Sequence, residues 1–304
     1  MTKVLILTDG KAGHENQSKA FARRLNCEFE IARVRFKSRF HKALSYIFDL
    51  ARINATWLWE FESEIMPEGT PAAVIGTGSG TFYPAKSAAK SFGVKCGVVL
   101  YPRGYSLKGF DCILAPKFDN PKNLPNVIQI PANLVANDEG FYNNGVEQYK
   151  QRTDVVPEIA VIIGGPNKCS TMTCEWMKEK LDEIFAMPGA KAVTTSRRTP
   201  ADVEALVDSY QWDYKLIYSR EKFNPIPAFV KLAKKLFVSA ESTGMLSEAC
   251  TFGSAAVYAL DNLKPGRHKF RQFVEDLSHD GYLDGSRKII LDKEFSRARK
   301  LLGL

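Results

Sequence analysis

No stretch of the 304-residue chain approaches the ~20 consecutive apolar residues of a membrane-spanning helix. The first apolar run, Val4 to Leu7, is also too short for a secretory leader and reads as a first strand. The six cysteines form no C-x-x-C pair and no Cys/His cluster at zinc-ligand spacing, so neither a disulfide framework nor a zinc-built fold is expected. Reduced thiols packed in a cytosolic core fit that usage. No D-x-D motif marks a metal-bound diphosphate, and no metal is expected. The glycine spacing G-x-G-x-x-G is missing, and the second predicted strand ends in Arg33-Val34-Arg35 without an acid to hold a ribose, which argues against a nicotinamide enzyme. Lys11 is followed by Ala12, not Ser or Thr, so the first glycine loop is not a P-loop. No nucleic-acid-binding signature accompanies the basic residues, and no nucleic-acid partner is expected.

What remains is an ordinary globular composition, 45% hydrophobic and 25% charged, with a net charge of +8 that suits anionic partners. At about 150 residues per domain, the length suggests two domains. Short apolar runs alternate with amphipathic stretches throughout, the pattern of parallel sheets with helices on both faces. The alternation pauses in the polar stretch ANDEGFYNNGVEQYKQRTDVVP and restarts at Glu158. The expected architecture is α/β, two facing Rossmann-like domains with parallel sheets and a deep interdomain cleft. Residues 1–150 form the N-terminal domain, on the acceptor side, and 151–285 the C-terminal, nucleotide-binding domain, with a linker around 140–157. Ligands of such sheets bind at the carboxyl ends of the strands.

Five loops at predicted strand ends carry the candidate chemistry. In T-D-G-K-A-G-H-E-N-Q, Gly10 and Gly13 permit a tight turn and close approach, Lys11 adds a cation, and His14 offers a general base. In I-G-T-G-S-G-T, Gly78 and Ser79 make a cradle for a phosphate or sugar hydroxyl. In I-G-G-P-N-K, the Gly164–Gly165 backbone would contact a diphosphate that Lys168 neutralises. In T-T-S-R-R-T-P, Arg197 and Arg198 suit bidentate phosphate contacts. In S-A-E-S-T-G-M-L-S-E-A-C, Ser242, Thr243 and Gly244 open a helix toward a phosphate, and Glu248, one turn on, would accept both ribose hydroxyls. Separately, 33–59 combines a run of Lys and Arg with Trp57 and Trp59, the composition of a surface for anionic lipid headgroups. The expected location is cytoplasmic, peripheral at the inner membrane.

In this order, DGKAGHENQ, IGGP, TTSRRTP and SAESTGMLSEA resemble the bacterial relatives of the plant "elongated mitochondria" fission protein. That resemblance implies the GT-B fold of glycosyltransferases, in which a C-terminal helix within 286–304, here Asp292 to Leu302, crosses back to the first domain. The loop pattern is also similar to that of the membrane-associated GlcNAc transferase of peptidoglycan synthesis, which implies His14 as base and Ser242, Thr243 and Glu248 as nucleotide grip. The chain departs from that enzyme where Lys11-Ala12 replaces glycines and Ser242-Thr243-Gly244 replaces a glycine-rich run. The expected function is an inverting, metal-independent transferase using a nucleotide-diphosphate sugar as substrate, with no separate cofactor. The alternatives are a nucleotide-sugar epimerase, with Asp9 and Glu15 as acid–base carboxylates, and a non-catalytic adaptor or lipid-surface protein.

Overall fold

A computed structural model describes residues 2–62 and 69–304. The chain divides into two compact units, 1–136 with 291–304, and 137–290. In the first unit the strands are β1 (Lys3–Thr8), β2 (Glu28–Phe36), β3 (Trp59–Phe61), β4 (Ala73–Thr77), β5 (Lys95–Val99), β6 (Cys112–Pro116) and β7 (Val127–Ile130). They form one sheet in the order β3-β2-β1-β4-β5-β6-β7, parallel except where edge strand β3 runs against β2. Between these strands run α1 (Ala12–Arg24), α2 (Arg39–Leu50) and α3 (Phe82–Phe92).

The strands read as unbroken apolar runs because both faces are covered. Along β1, Val4 and Ile6 join the core under α1, where Phe21 and Leu25 lie, while Leu5 and Leu7 join the core under α3 with Phe82 and Ala85. Trp59, expected on a lipid-facing surface, is 7% exposed and belongs to this second core, because β3 pairs its backbone with β2. The neighbouring Trp57 is 52% exposed, as are Phe40, Ile47 and Leu50 of α2 in still greater measure.

The second unit opens with α4 (Glu139–Lys150), in the stretch read as a linker. Asp138 caps it by accepting from Phe141 N at 3.0 Å. Tyr142, Gly145, Val146 and Tyr149 recur at i, i+3, i+4 and i+7 and are all buried. Gly145 lets the helix close on Pro227, and Tyr149 meets the ring of Phe229 at 5.9 Å. Residues 137–150 therefore pack with the second unit, where the sequence reading had put them in the first.

The strands that follow are β8 (Ile159–Ile162), β9 (Lys191–Thr194), β10 (Tyr214–Leu216), β11 (Lys235–Ser239) and β12 (Ala256–Leu260), all parallel in the order β10-β9-β8-β11-β12. Between and after them run α5 (Cys174–Phe185), α6 (Ala201–Ser209), α7 (Ile226–Leu232), α8 (Thr243–Thr251) and α9 (Lys269–His279). The last helix, α10 (Asp292–Leu302), buries Phe295, Ala298 and Leu302 in the first unit beside α1. Among the described residues, no helix is long and apolar enough to cross a membrane.

Candidate functional site

Both strand orders reverse direction once, between β1 and β4 in the first sheet and between β8 and β11 in the second. Loops leaving the strands at such a reversal diverge to opposite faces and leave a crevice, where ligands of open α/β sheets bind. Most of the candidate loops fall at these two places.

In the first unit Asp9 and His14 meet beside this reversal. α1 starts at Ala12, so Gly13 and His14 stand in its first turn. His14 Nδ1 lies 3.1 Å from both Oδ1 and Oδ2 of Asp9, which leaves β1 directly before the turn. Burial opposes ionisation of Asp9, but the neighbouring His14 and Lys11, with Nζ 3.2 Å from Oδ2, together hold its carboxyl below the usual range. Asp9 engages Nδ1, and Nε2 is the ring nitrogen it leaves unheld. The second glycine loop fixes the pair from the other side. Gly78 has φ +85°, and a Cβ there would lie 2.3 Å from His14 Cε1; one at Gly80 would lie 2.7 Å from Asp9 Oδ2. Ser79 Oγ accepts from Lys42 Nζ at 3.0 Å, and burial, with Lys11 adding to it and Asp9 opposing, keeps the Lys42 amine below its ordinary value.

Two members of the first loop have work inside the fold. Gly10 takes φ +76° beneath the guanidinium of Arg33, so its glycine character answers to packing. Glu15 is paired with Lys19 at 2.6 Å, which ties up one of the two carboxylates of the epimerase reading. Gly13 is different, since a Cβ there would touch nothing.

In the second unit the loops at the reversal are braced by a carboxylate outside the candidate set, Glu241. Glu241 is 2% exposed; its Oε1 accepts from Gly165 N at 2.7 Å and from Ser239 Oγ at 3.1 Å, and its Oε2 from Asn262 Nδ2 at 2.7 Å. Ser239 Oγ in turn accepts from Gly164 N at 2.8 Å. Both glycine N–H groups, expected as a diphosphate cradle, have acceptors inside the protein. The Gly164 carbonyl is also taken, by Ser196 Oγ at 2.7 Å and Thr199 Oγ1 at 2.6 Å. A Cβ at Gly165 would lie 2.1 Å from the Arg198 carbonyl, so this glycine lets the loops after β8 and β9 touch. The side chains of Lys168, Arg197 and Arg198 are exposed, and none forms an ion pair with a described residue.

Around α8, Ser242 is buried at the N-cap without a side-chain capping bond, and Gly244 is exposed with room for a Cβ that meets nothing. Thr243 opens the helix, and its carbonyl accepts from Ser247 Oγ at 2.6 Å. A glycine in the first turn of a helix costs up to about 1 kcal/mol against alanine, and no packing demand explains it here. Glu248 faces α4, accepting from Tyr142 Oη at 2.7 Å. Burial pushes its carboxyl up, partly offset by the bonds from Tyr142 and Asn137. Among the described residues, no three His, Cys, Asp or Glu side chains gather as a metal site.

The sequence offers Asp9 as an acid–base carboxylate of the epimerase alternative and not as the partner of His14; its place five residues before His14, at a strand end, is the available signal for the pair. Glu241 carried a similar one, an acid between a buried strand and a helix start. Lys42 carried none, being one cation in a basic run.

No curated protein matches the chain in sequence. Among solved structures, it is similar to Arabidopsis thaliana UGT89C1 complexed with UDP, at 11% identity and a TM-score of 0.52, covering 100% of this chain and 90% of that one. It is similar as well to the UDP-GlcNAc 2-epimerase of Neisseria meningitidis bound to UDP-GlcNAc, at 14% identity and a TM-score of 0.50, covering 100% and 98%. At such identities the likeness is one of fold, which is GT-B-like. The sequence profile described as mitochondrial fission ELM1 matches residues 12–294, and the chain belongs to that family.

Proposed function

We propose that the protein is an inverting transferase of GT-B type that moves a sugar from a nucleoside diphosphate to a hydroxyl acceptor without a metal ion. The observation that carries this reading is the Asp9–His14 pair at the first unit's strand-order reversal, with Nδ1 engaged and the ring seated on Gly78. In the reaction, Nε2 takes the proton of the acceptor hydroxyl and Asp9 stabilises the imidazolium that forms. The acceptor oxygen bonds to the anomeric carbon as the bond to the diphosphate breaks, which inverts that centre. The leaving diphosphate's charge is met by Arg197, Arg198 and Lys168, whose side chains are uncommitted to acids, and by the α8 N-terminus at Ser242, Thr243 and Gly244. Glu248, held by Tyr142 through Oε1, is the residue that receives the ribose.

The test is thermal unfolding with UDP, GDP, ADP, CMP and their sugar conjugates, for the wild type and Glu248→Ala. A ligand at a hundred times its dissociation constant adds about 2.7 kcal/mol. A shift with one nucleotide, reduced in the variant, is the expected result; no shift with any of them rejects the reading and favours an adaptor. The epimerase reading has Asp9 beside His14 in its favour. It predicts that a nucleotide sugar changes configuration with no acceptor present, which proton NMR detects. Exposed Phe40, Ile47 and Leu50, on a helix rich in basic neighbours, support contact of 33–59 with an anionic membrane surface. Flotation with anionic vesicles, weakened by salt, is the expected outcome.

A further inference from the structure

A cavity of the first unit lies away from the strand-order reversal. It encloses about 420 Å³ in the first unit, between the end of α2, one face of α3 and the loop entering β6. Cys96 near the start of β5 and Asp111 just before β6 place it at the amino ends of these strands, the opposite edge of the sheet from Asp9 and His14.

Its charges are unevenly committed. Four cations and two carboxylates line it. Asp49 is consumed by Lys86 Nζ at 2.6 Å and by Ser106 N at 2.6 Å. Asp111 is consumed by Lys95 Nζ at 2.7 Å and by Cys96 N at 2.8 Å. Arg52, Lys90 and Lys108 are left with no ion pair among the described residues. Asn54 accepts from Ser87 Oγ at 2.6 Å, which leaves its Nδ2 as a further donor. Tyr83 Oη holds the segment rigid, donating to the Ile53 carbonyl at 2.8 Å and accepting from Ala55 N at 2.9 Å.

Arg52 is the most informative of these residues. It follows the C-cap of α2 with φ +58°, a conformation in which helices ordinarily place glycine or asparagine. A long cationic side chain held there at a backbone cost, on the rim of a cavity whose acids are already neutralised, has no evident use within the fold. Arginine with two lysines and an amide is a donor set for phosphate oxygens. The volume admits more than a bare ion, and Ile53, Ala89 and Val94 supply an apolar wall for the remainder.

We propose that this cavity is a second binding site, for a phosphate ester, held through Arg52, Lys90 and Lys108 independently of the Asp9–His14 crevice. The ester is either a free metabolite or the headgroup of a lipid; the chemistry of recognition is the same.

Binding is measured by calorimetry with inorganic phosphate and with glycerol 3-phosphate, and by co-sedimentation with phosphatidylcholine vesicles with and without phosphatidic acid. The full chain is compared with Arg52→Gly, Lys90→Ala and His14→Ala. Glycine suits the backbone at 52, so Arg52→Gly should unfold no earlier than the wild type while binding falls by about tenfold or more. Lys90→Ala should weaken binding likewise, and His14→Ala should leave it unchanged. Binding of the soluble ester assigns a free metabolite; binding confined to vesicles with phosphatidic acid assigns a headgroup. Binding by none of the four probes, or binding indifferent to Arg52→Gly and Lys90→Ala, overturns the proposal.

Discussion

At Gly78 a single hydrogen atom in place of a side chain decides where His14 stands. Its φ of +85° and the 2.3 Å from a built Cβ to His14 Cε1 are two separate objections to any other residue. Gly78→Ala should therefore cost about 1–2 kcal/mol in backbone strain alone. It should also displace the imidazole, seen as a changed His14 ring signal in NMR alongside the lower urea midpoint. Glu241 is the corresponding residue in the second unit. Removing it as Glu241→Ala leaves the Gly165 N–H and Asn262 Nδ2 buried without acceptors, at about 1–3 kcal/mol for each. Glu241→Gln keeps an acceptor for Gly165 N, and the unpartnered Asn262 Oδ1 can turn to receive the new amide. The glutamine variant should retain most of the stability that the alanine variant loses, a difference readable in denaturant unfolding. Asp9 shows why residue-scale reading stopped short. A lone acid in a loop has many uses, and only the first turn of α1 brings His14 back onto it.

At the scale of elements, α4 and α8 are joined by the Tyr142–Glu248 hydrogen bond and by the stacking of Tyr142 on Phe252 at 4.3 Å. Burial raises the Glu248 carboxyl, and the bonds from Tyr142 and Asn137 restrain that rise. Tyr142→Phe should raise it further, which carbon NMR titration of the carboxyl measures directly. The sign for stability follows: a raised folded pKa means the native state binds the proton more tightly than the unfolded chain, whose glutamates titrate near about 4.3. Stability from this group is full below that value and declines as pH rises through the folded pKa. The decline should be larger in Tyr142→Phe than in the wild type. The helix bearing Tyr142 was hidden in the sequence by its Asn and Gly content, which lowers helix propensity, although its buried positions keep helical spacing. By contrast, α8 was legible from its strand, its small polar start and the length of its apolar pattern.

For the whole molecule, two compact units of similar size imply two unfolding events rather than one. The C-terminal helix belongs to the first of them, with Leu302 1% exposed against Gly97 of β5. Leu302→Ala should destabilise that unit by about 2–5 kcal/mol, lowering its calorimetric transition and leaving the transition of residues 137–290 in place. A single transition shifting as one would show that the units unfold together.

Parallel α/β architecture was written in the chain locally, because a strand covered on both faces must be apolar at consecutive positions and each crossover must be an amphipathic helix. The glycine loops were readable for the same reason: they follow those strands, and strand ends are where such sheets bind. Strand order was not readable, since it depends on which strands pair across long separations, and it is strand order that puts Asp9 and His14 beside Gly78, and Glu241 beside Gly165. The same long-range pairing gives the Gly164 and Gly165 N–H groups acceptors in Ser239 and Glu241. A hydrogen-bond donor's presence is a property of sequence; whether it is free is a property of what the fold brings within 3 Å of it.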